Sequence, residues 1–455
     1  MLEAGRSGPI IGLCDGPQRR AALKDSKRRA DAAALNRSGI LAIQRGQLAE
    51  GRAMLEAAAA RQPKAVQYLA DLAQVQLMTG EESVAIKTYQ RCLKIDPGFI
   101  PARLNLGILM LRADRIEDAG NCFQKAVDAD PELVEAHAGL GLVRQRQHRL
   151  AEAVDAFEQA ASRAPRDAEI CSNLGGVLHE IGESEKAIAC FQKAIKLAPE
   201  RASLHTQLGV ILHEVQGAQA ALPHYDEALR LLPGDAHSLA SKGSALAALG
   251  RREEAARIFD HDALIATRRI TAAPGYSDMP AFNRALADHA IRHPTLVADP
   301  LGKTTRGGGQ TGQLLGPTRG PIAVLEGLIR GAIDDYFADR TRAQHPYCPR
   351  RSAPGRLDAW ATVLDSGGYQ DSHNHPSGVL SGVYYVQLPG MGDAGAIEFG
   401  RPAPPFNAPL VPEVVLIRPQ TGLLVLFPSF FWHRTIPFRG DGKRISIAFD
   451  LIVGR

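Results

Sequence analysis

Pro63, Pro97, Pro131, Pro165, Pro199 and Pro233 stand thirty-four residues apart in an unbroken series. A fixed period of that length means that one supersecondary unit is copied along the chain. Each copy then buries its apolar face only by stacking on the next. Other positions keep the same step: Gly107, Gly141, Gly175, Gly209 and Gly243; Ala85, Ala119, Ala153, Ala187, Ala221 and Ala255; and Tyr89, Phe123, Phe157, Phe191, Tyr225 and Phe259. The small residues let paired helices approach closely, the aromatic fills the gap beside the next unit, and the proline punctuates the turn after the second helix.

These residues resemble the tetratricopeptide repeat, over about 32–269, with weaker first and last units. The resemblance implies a right-handed superhelix whose concave groove is lined by the first helix of each pair. Gln145, Arg146, His179, Glu180, His213 and Glu214 would then form a mixed polar lining, and the implied partner is a peptide or protein. His137, His148, His205, His224 and His237 are scattered along this array and read as surface or groove residues rather than metal ligands.

At 455 residues the chain exceeds what one core usually organises. Its 45% hydrophobic and 22% charged content is that of globular protein, and no apolar run is long enough to span a bilayer. Residues 1–31 carry seven Lys/Arg against four Asp/Glu, which is most of the net charge of +4. They read as a basic, disordered leader; nucleic-acid binding is not indicated, nor is secretion. The six cysteines show no paired spacing, so neither a zinc knuckle nor a disulfide framework is legible, and a reducing cytoplasm fits best.

Periodicity breaks down after the array, and residues 270–348 read as a connector, loop and packing helix. Its run Lys303-Thr304-Thr305-Arg306-Gly307-Gly308-Gly309-Gln310 is a poor phosphate cradle, because the Lys precedes the glycines. The spacing predicts a loop or lid there, and an amphipathic helix over 321–339. From about 349 to 455 short strands alternate with Gly/Pro turns, which predicts a jelly roll or small barrel able to enclose a site. The fold class expected is multidomain: an all-α tetratricopeptide superhelix followed by a double-stranded β-helix, or jelly-roll, domain with flanking helices.

The chemistry sits in that last module. His373 and His375 are two apart, so on an extended chain both face one side, and His433 would come from across the sheet. Arg444 and Ser446 also share a face, opposite Ile445, Ile447 and Phe449. Imidazoles brought together can hold an open-sided metal. A buried arginine needs an anion, and a dicarboxylic co-substrate such as 2-oxoglutarate would supply one.

The run Ser372-His373-Asn374-His375-Pro376 through Val386, with Phe427-Pro428-Ser429 and Trp432-His433, resembles bacterial 2-oxoglutarate/Fe(II) oxygenases over roughly 356–453. The distal histidine followed by arginine is the most typical element of that superfamily; here the gap is eleven residues. The resemblance implies Fe(II), 2-oxoglutarate and O2 as cofactors, with Arg444 and Ser446 on the far carboxylate of the oxo-acid and hydroxylation of a presented polypeptide as the activity. The family's usual ligand set is His-x-Asp/Glu followed by His, and here His375 occupies the acid's position. Three solutions follow: a site of His373, His375 and His433; a site with His375 and His433 plus an acid such as Asp371 or Glu398; or a degenerate barrel. The first is preferred, and it leaves the ion one charge more positive than a carboxylate set would. Zinc or manganese could also sit on imidazoles. Trp360, Tyr384, Tyr385 and Trp432 read as barrel core. The competing class is a repeat scaffold that binds protein and carries a catalytically inactive barrel.

Overall fold

The computed structural model describes residues 17–300, 302–316, 320–350, 355–389, 395–403 and 414–453. The first sixteen residues of the basic leader lie outside them. Residues 17–31 do not follow the disordered expectation: they open the first helix, α1 (Pro17–Gln44), because the Ala, Lys, Arg and Leu that dominate them are strong helix formers. By contacts the chain divides into two compact units, Met1–Glu183 and Ser184–Arg455.

In the first unit α1 is followed by α2 (Leu48–Arg61), α3 (Val66–Met78), α4 (Glu82–Ile95), α5 (Ile100–Arg112), α6 (Ile116–Ala129), α7 (Val134–Arg146), α8 (Leu150–Arg163) and α9 (Ala168–Glu180). Successive helices pack as hairpins, α1 on α2, α3 on α4, α5 on α6 and α7 on α8. The periodic residues do the work their chemistry suggests. Ala85, Ala119 and Ala153 are fully buried, and the rings of Tyr89, Phe123 and Phe157 are buried beside them. A methyl group at Gly107 would stand 2.8 Å from the Phe123 ring, and one at Gly141 2.7 Å from that of Phe157. Glycine is therefore the residue that lets each aromatic seat between its helices. Pro63, Pro97, Pro131 and Pro165 fall two residues beyond the ends of α2, α4, α6 and α8.

The second unit begins with four more repeat helices, α10 (Ser184–Leu197), α11 (Ala202–Gln216), α12 (Ala218–Leu231) and α13 (Ala236–Ala248). The last repeat is cut short at α14 (Arg252–Ile258) and α15 (His261–Leu264). Then come β1 (Ala266–Arg269), α16 (Met279–Ile291), β2 (Val297–Ala298), β3 (Thr305–Gln310), α17 (Pro321–Ala338) and α18 (Arg340–Ala343). The strands β4 (Arg356–His373), β5 (Leu380–Gln387), β6 (Ile397–Phe399), β7 (Val415–Ile417), β8 (Leu423–Pro428), β9 (His433–Thr435) and β10 (Arg444–Ile452) complete it. They form one curled antiparallel sheet in the order β1-β8-β5-β10-β4-β9-β6-β7, with β2 and β3 added along β4. The chain is thus a tetratricopeptide-type helical array followed by a jelly-roll-like β domain.

Strand alternation gives this sheet two unlike faces. Ala359, Ala361 and Val363 of β4, Tyr384 and Val386 of β5, and Ile445, Ile447 and Phe449 of β10 share one buried core with Phe282 and Leu286 of α16 and Ile322, Leu325, Ile329 and Ile333 of α17. The helices thereby cover one face, and the residues in between point to the other.

The expected loop or lid after the array is instead mostly structured. Gly308 lies in β3, opposite Leu364, and a methyl group there would stand 2.4 Å from the Val363 carbonyl oxygen. These glycines allow β3 to lie close against β4. Short polar strands of this kind carry little apolar alternation, which is why sequence periodicity missed them.

At the turn between the helices of a repeat the chain takes a left-handed residue: Gly46, Gly80 and Gly250 do so without strain, but His148 does so with φ 57°. His148→Gly is expected to stabilise the repeat array by about 0.5–1 kcal/mol, read as a higher urea midpoint at unchanged slope. An unchanged or lowered midpoint contradicts it.

Candidate functional site

β4 and β9 pair so that His373 lies directly across from His433, and His375 follows just beyond the end of β4. The backbone N–H of His375 donates to the Ser429 carbonyl at 2.9 Å, which fixes the turn that carries it. The three rings lie together, with centroids 4.4 Å apart for His373 and His433 and 5.1 Å for each of the other pairs. One nitrogen from each lies within 4.8 Å of the others.

Their protonation follows from their partners. The Nδ1 atoms of His373 and His433 lie 2.7 Å from the Asp371 carbonyl oxygen and 3.0 Å from that of Phe431. Nδ1 of His375 lies 2.7 Å from Oδ2 of Asp450. Carbonyl and carboxylate oxygens only accept, so Nδ1 is the donor in each ring and Nε2 of the neutral ring is left as a lone pair. Burial, with the charge of the neighbouring rings added, pulls His373 down to about 4 and His433 well below its ordinary value. Three ring nitrogens left free of these bonds and clustered in this way fit a metal ion bound by imidazole.

Neither acid weighed from the sequence joins this cluster. Asp371 is half exposed and ion-paired with Arg306 at 3.3 Å. Burial pushes the Glu398 carboxyl up, but Arg434 and Arg401, at 2.6 and 2.8 Å, outweigh it and hold it below its ordinary value. Glu398 lies on β6 opposite Arg434, one position out of phase with His433, so the strand alternation turns it away.

The second half of the site is a polar row on the inner face. Arg444 is 2% exposed. Its Nε donates to the Gly395 carbonyl at 3.2 Å and its Nη1 to Ser446 Oγ at 3.2 Å, and among the described residues no carboxylate pairs with it. Burial draws this guanidinium below its ordinary value, with neighbouring Tyr385 opposing the shift. Thr362 and Tyr385 flank Ser446 on the two adjacent strands. The Thr362 hydroxyl is buried without a hydrogen-bond partner among the described residues, and the Tyr385 hydroxyl lies buried beside Arg444. A buried guanidinium with no carboxylate partner among the described residues, beside such hydroxyls, fits an anionic ligand with several acceptor oxygens. One pocket is lined by His373, His375, His433, Tyr385, Arg444 and Ser446 together.

Trp360 and Tyr385, read from the sequence as barrel core, also wall this pocket. Trp360 stacks on His375 at 5.6 Å and 15°. Tyr384 is core as expected, with its hydroxyl donating to Asn283 at 2.8 Å. Trp432 donates from Nε1 to Ser244 on α13 at 3.0 Å, and its neighbour Phe431 packs edge-on against His261. That contact orders the loop whose carbonyl holds His433. Asp450 was missed although its signal was present: steps of two from Arg444 through Ser446 and Ala448 reach it on the same face.

A repeat array joined to a jelly-roll domain with clustered imidazoles and a buried arginine defines a class: a tetratricopeptide-repeat chain with a C-terminal oxygenase-type domain. Residues 358–450 match the family described as "Putative 2OG-Fe(II) oxygenase". Residues 14–264, more than half of the chain, match the family described as the Cilia and flagella-associated protein 70 C-terminal domain, and the chain belongs to that tetratricopeptide-repeat family. No curated protein matches it. Among solved structures it is similar to a chain of the APC/C hetero-tetramer Cut9–Hcn1, at 18% identity and a TM-score of 0.44, covering 50% of this chain and only 46% of that one. A tetratricopeptide repeat protein from Parabacteroides merdae gives 17% identity and 0.44, covering 51% and 92%. PilF of Pseudomonas aeruginosa gives 22% and 0.42, covering 47% and 96%. No helix among the described residues is long and apolar enough to cross a membrane.

His261 is likewise drawn down to about 4 by burial. An unfolded histidine takes up its proton near 6.5, whereas folded His261 and His373 resist until about pH 4. Their contribution to stability is therefore complete above about pH 6.5 and is lost as the pH falls toward 4. With chelator present, the urea midpoint of the barrel unit, followed by tryptophan fluorescence, is expected to fall across that window. A flat profile contradicts the assignment.

Proposed function

We propose that the chain is a Fe(II)- and 2-oxoglutarate-dependent dioxygenase that hydroxylates a peptide or protein held by its repeats. The observation that carries the reading is the juxtaposition of three clustered imidazoles with a buried arginine that no acid neutralises among the described residues. His373, His375 and His433 would hold the metal. Arg444, with Ser446, would hold the far carboxylate of the oxo-acid, and the buried Thr362 and Tyr385 hydroxyls would extend the same cradle. When bound, the iron supplies oxidative chemistry that consumes the oxo-acid and O2, releasing succinate and carbon dioxide as one oxygen atom enters a C–H bond.

The rest is the work of the chain's own side chains. The guanidinium and the hydroxyls orient the co-substrate by charge-assisted hydrogen bonds in a buried pocket, where such bonds are strong. Phe427 and Trp360 flank the imidazoles with apolar surface and limit water. In this reading residues 32–269 are the binding array, and residues 270–455 are the catalytic module with its packing helices.

The first unit offers a groove suited to a peptide. Ile108 on α5 and Leu142 on α7, thirty-four residues apart, are 50% and 37% exposed and line one pocket with Arg112 and Arg146. Glu135, Asp167 and Glu169 line the same pocket, so an apolar floor with a rim of both charge signs favours a substrate segment that presents an aliphatic residue. Gln145 and Glu180, read from the sequence as lining, hydrogen-bond to each other.

Purified protein is expected to bind one iron and to release succinate from 2-oxoglutarate. His433→Ala should abolish both. Arg444→Ala should keep the metal but raise the KM for 2-oxoglutarate roughly 10- to 100-fold, the worth of a lost charge-assisted pair. A wild type that binds no iron and makes no succinate with candidate peptides contradicts the proposal. Ile108→Asp with Leu142→Asp should weaken peptide turnover by about tenfold or more while leaving the KM for 2-oxoglutarate unchanged. Equal effects on both would contradict the peptide role of the groove.

A further inference from the structure

The three imidazoles are not equivalent. His373 and His433 donate to neutral backbone carbonyls, and His375 alone donates to a carboxylate, Oδ2 of Asp450 at 2.7 Å. We propose that Asp450 is a positioning residue that supplies, through His375, the negative charge a three-imidazole metal site lacks. This rests on the metal-binding reading above and deepens it.

Asp450 is built into place. Its other oxygen, Oδ1, accepts from Ser381 Oγ at 2.6 Å, and Ser381 shares a 2.8 Å hydrogen bond with Ser429 Oγ. The Ser429 carbonyl in turn accepts the backbone N–H of His375 at 2.9 Å, so the bonds close a ring from His375 through Asp450, Ser381 and Ser429 back to His375. That ring joins β10, β5 and the turns after β8 and β4. Among the described residues no lysine or arginine pairs with Asp450; His375 is its single ion-pair partner. Trp360, stacked on the imidazole, removes the remaining rotation of the ring. Gly378 leaves the space for this cradle, since a methyl group there would lie 2.6 Å from Ser429 Oγ.

The consequence is electrostatic. A carboxylate accepting the Nδ1 proton makes the opposite nitrogen a stronger donor, and it offsets part of the cation's charge from one shell further out. His375 occupies the position where an acid ligand would otherwise stand, and it is the ring that carries an acid behind it. The charge is displaced along the ligand rather than deleted. His373 and His433 provide geometry; His375 provides geometry and charge.

The test is a Co(II) titration of full-length wild type, Asp450→Asn, Ser381→Ala and His433→Ala by calorimetry, with the cobalt absorption bands as a second signature and thermal melts to report folding. Wild type is expected to bind one ion and His433→Ala none. Asp450→Asn should bind roughly 10- to 100-fold more weakly with shifted bands, and Ser381→Ala should fall between. If Asp450→Asn binds within about twofold of wild type while His433→Ala fails, the role of Asp450 is overturned and the metal site stands. If wild type binds no cobalt, both fall. Proton–nitrogen correlation spectra of metal-free wild type give a readout that needs no variant. The His375 proton is expected on Nδ1, and a proton on Nε2 overturns the proposal even if Asp450→Asn does not fold.

Discussion

The candidate metal site depends on three hydrogen bonds that commit the δ nitrogens of His373, His375 and His433 to oxygen acceptors. Without them, three crowded rings in a desolvated pocket could rotate, exchange tautomers and separate. With them, three lone pairs face one another with no proton to share, an arrangement that is costly to keep empty of a cation. The rest of the fold supplies the acceptors. The β4–β9 pairing sets His373 against His433, the Phe430–Trp432 loop packed on α13 and α15 offers the carbonyl for His433, and the far end of β10 offers the acid for His375.

The same sheet solves a second problem, which is how to bury a guanidinium. β10 alternates between a face sealed by α16 and α17 and a face that carries Arg444, Ser446 and Asp450. A cation so buried needs either an internal acid or an external anion, and among the described residues Arg444 donates to a carbonyl and a hydroxyl and to no carboxylate. The three imidazoles and Arg444 therefore lie on one inner face, with Arg444 and Asp450 six positions apart on β10.

Much of this was legible in the sequence because it rests on periodicity. The 34-residue step foretold the helix hairpins, the alternation from Arg444 foretold its inward partners, and the spacing from Pro321 foretold α17. What escaped depends on pairing between distant segments. Nothing local to Thr362 or Tyr385 says that they flank Ser446 on neighbouring strands. β3 escaped because its glycines serve close approach rather than burial. Asp450 escaped because its partner His375 is seventy-five residues away in sequence, although its place on β10 was readable two residues at a time.

The site is proposed to hold an ion on three Nε2 atoms with an oxo-acid anchored on Arg444. Anomalous diffraction at the metal edge from crystals grown with Mn(II) and an unreactive analogue of 2-oxoglutarate tests it most directly. The expected result is one peak about 2.0–2.3 Å from Nε2 of His373, His375 and His433, with the far carboxylate of the analogue on Arg444 and within reach of Ser446. A peak ligated by Asp371 or Glu398, or a pocket where the analogue binds and no ion does, would contradict it.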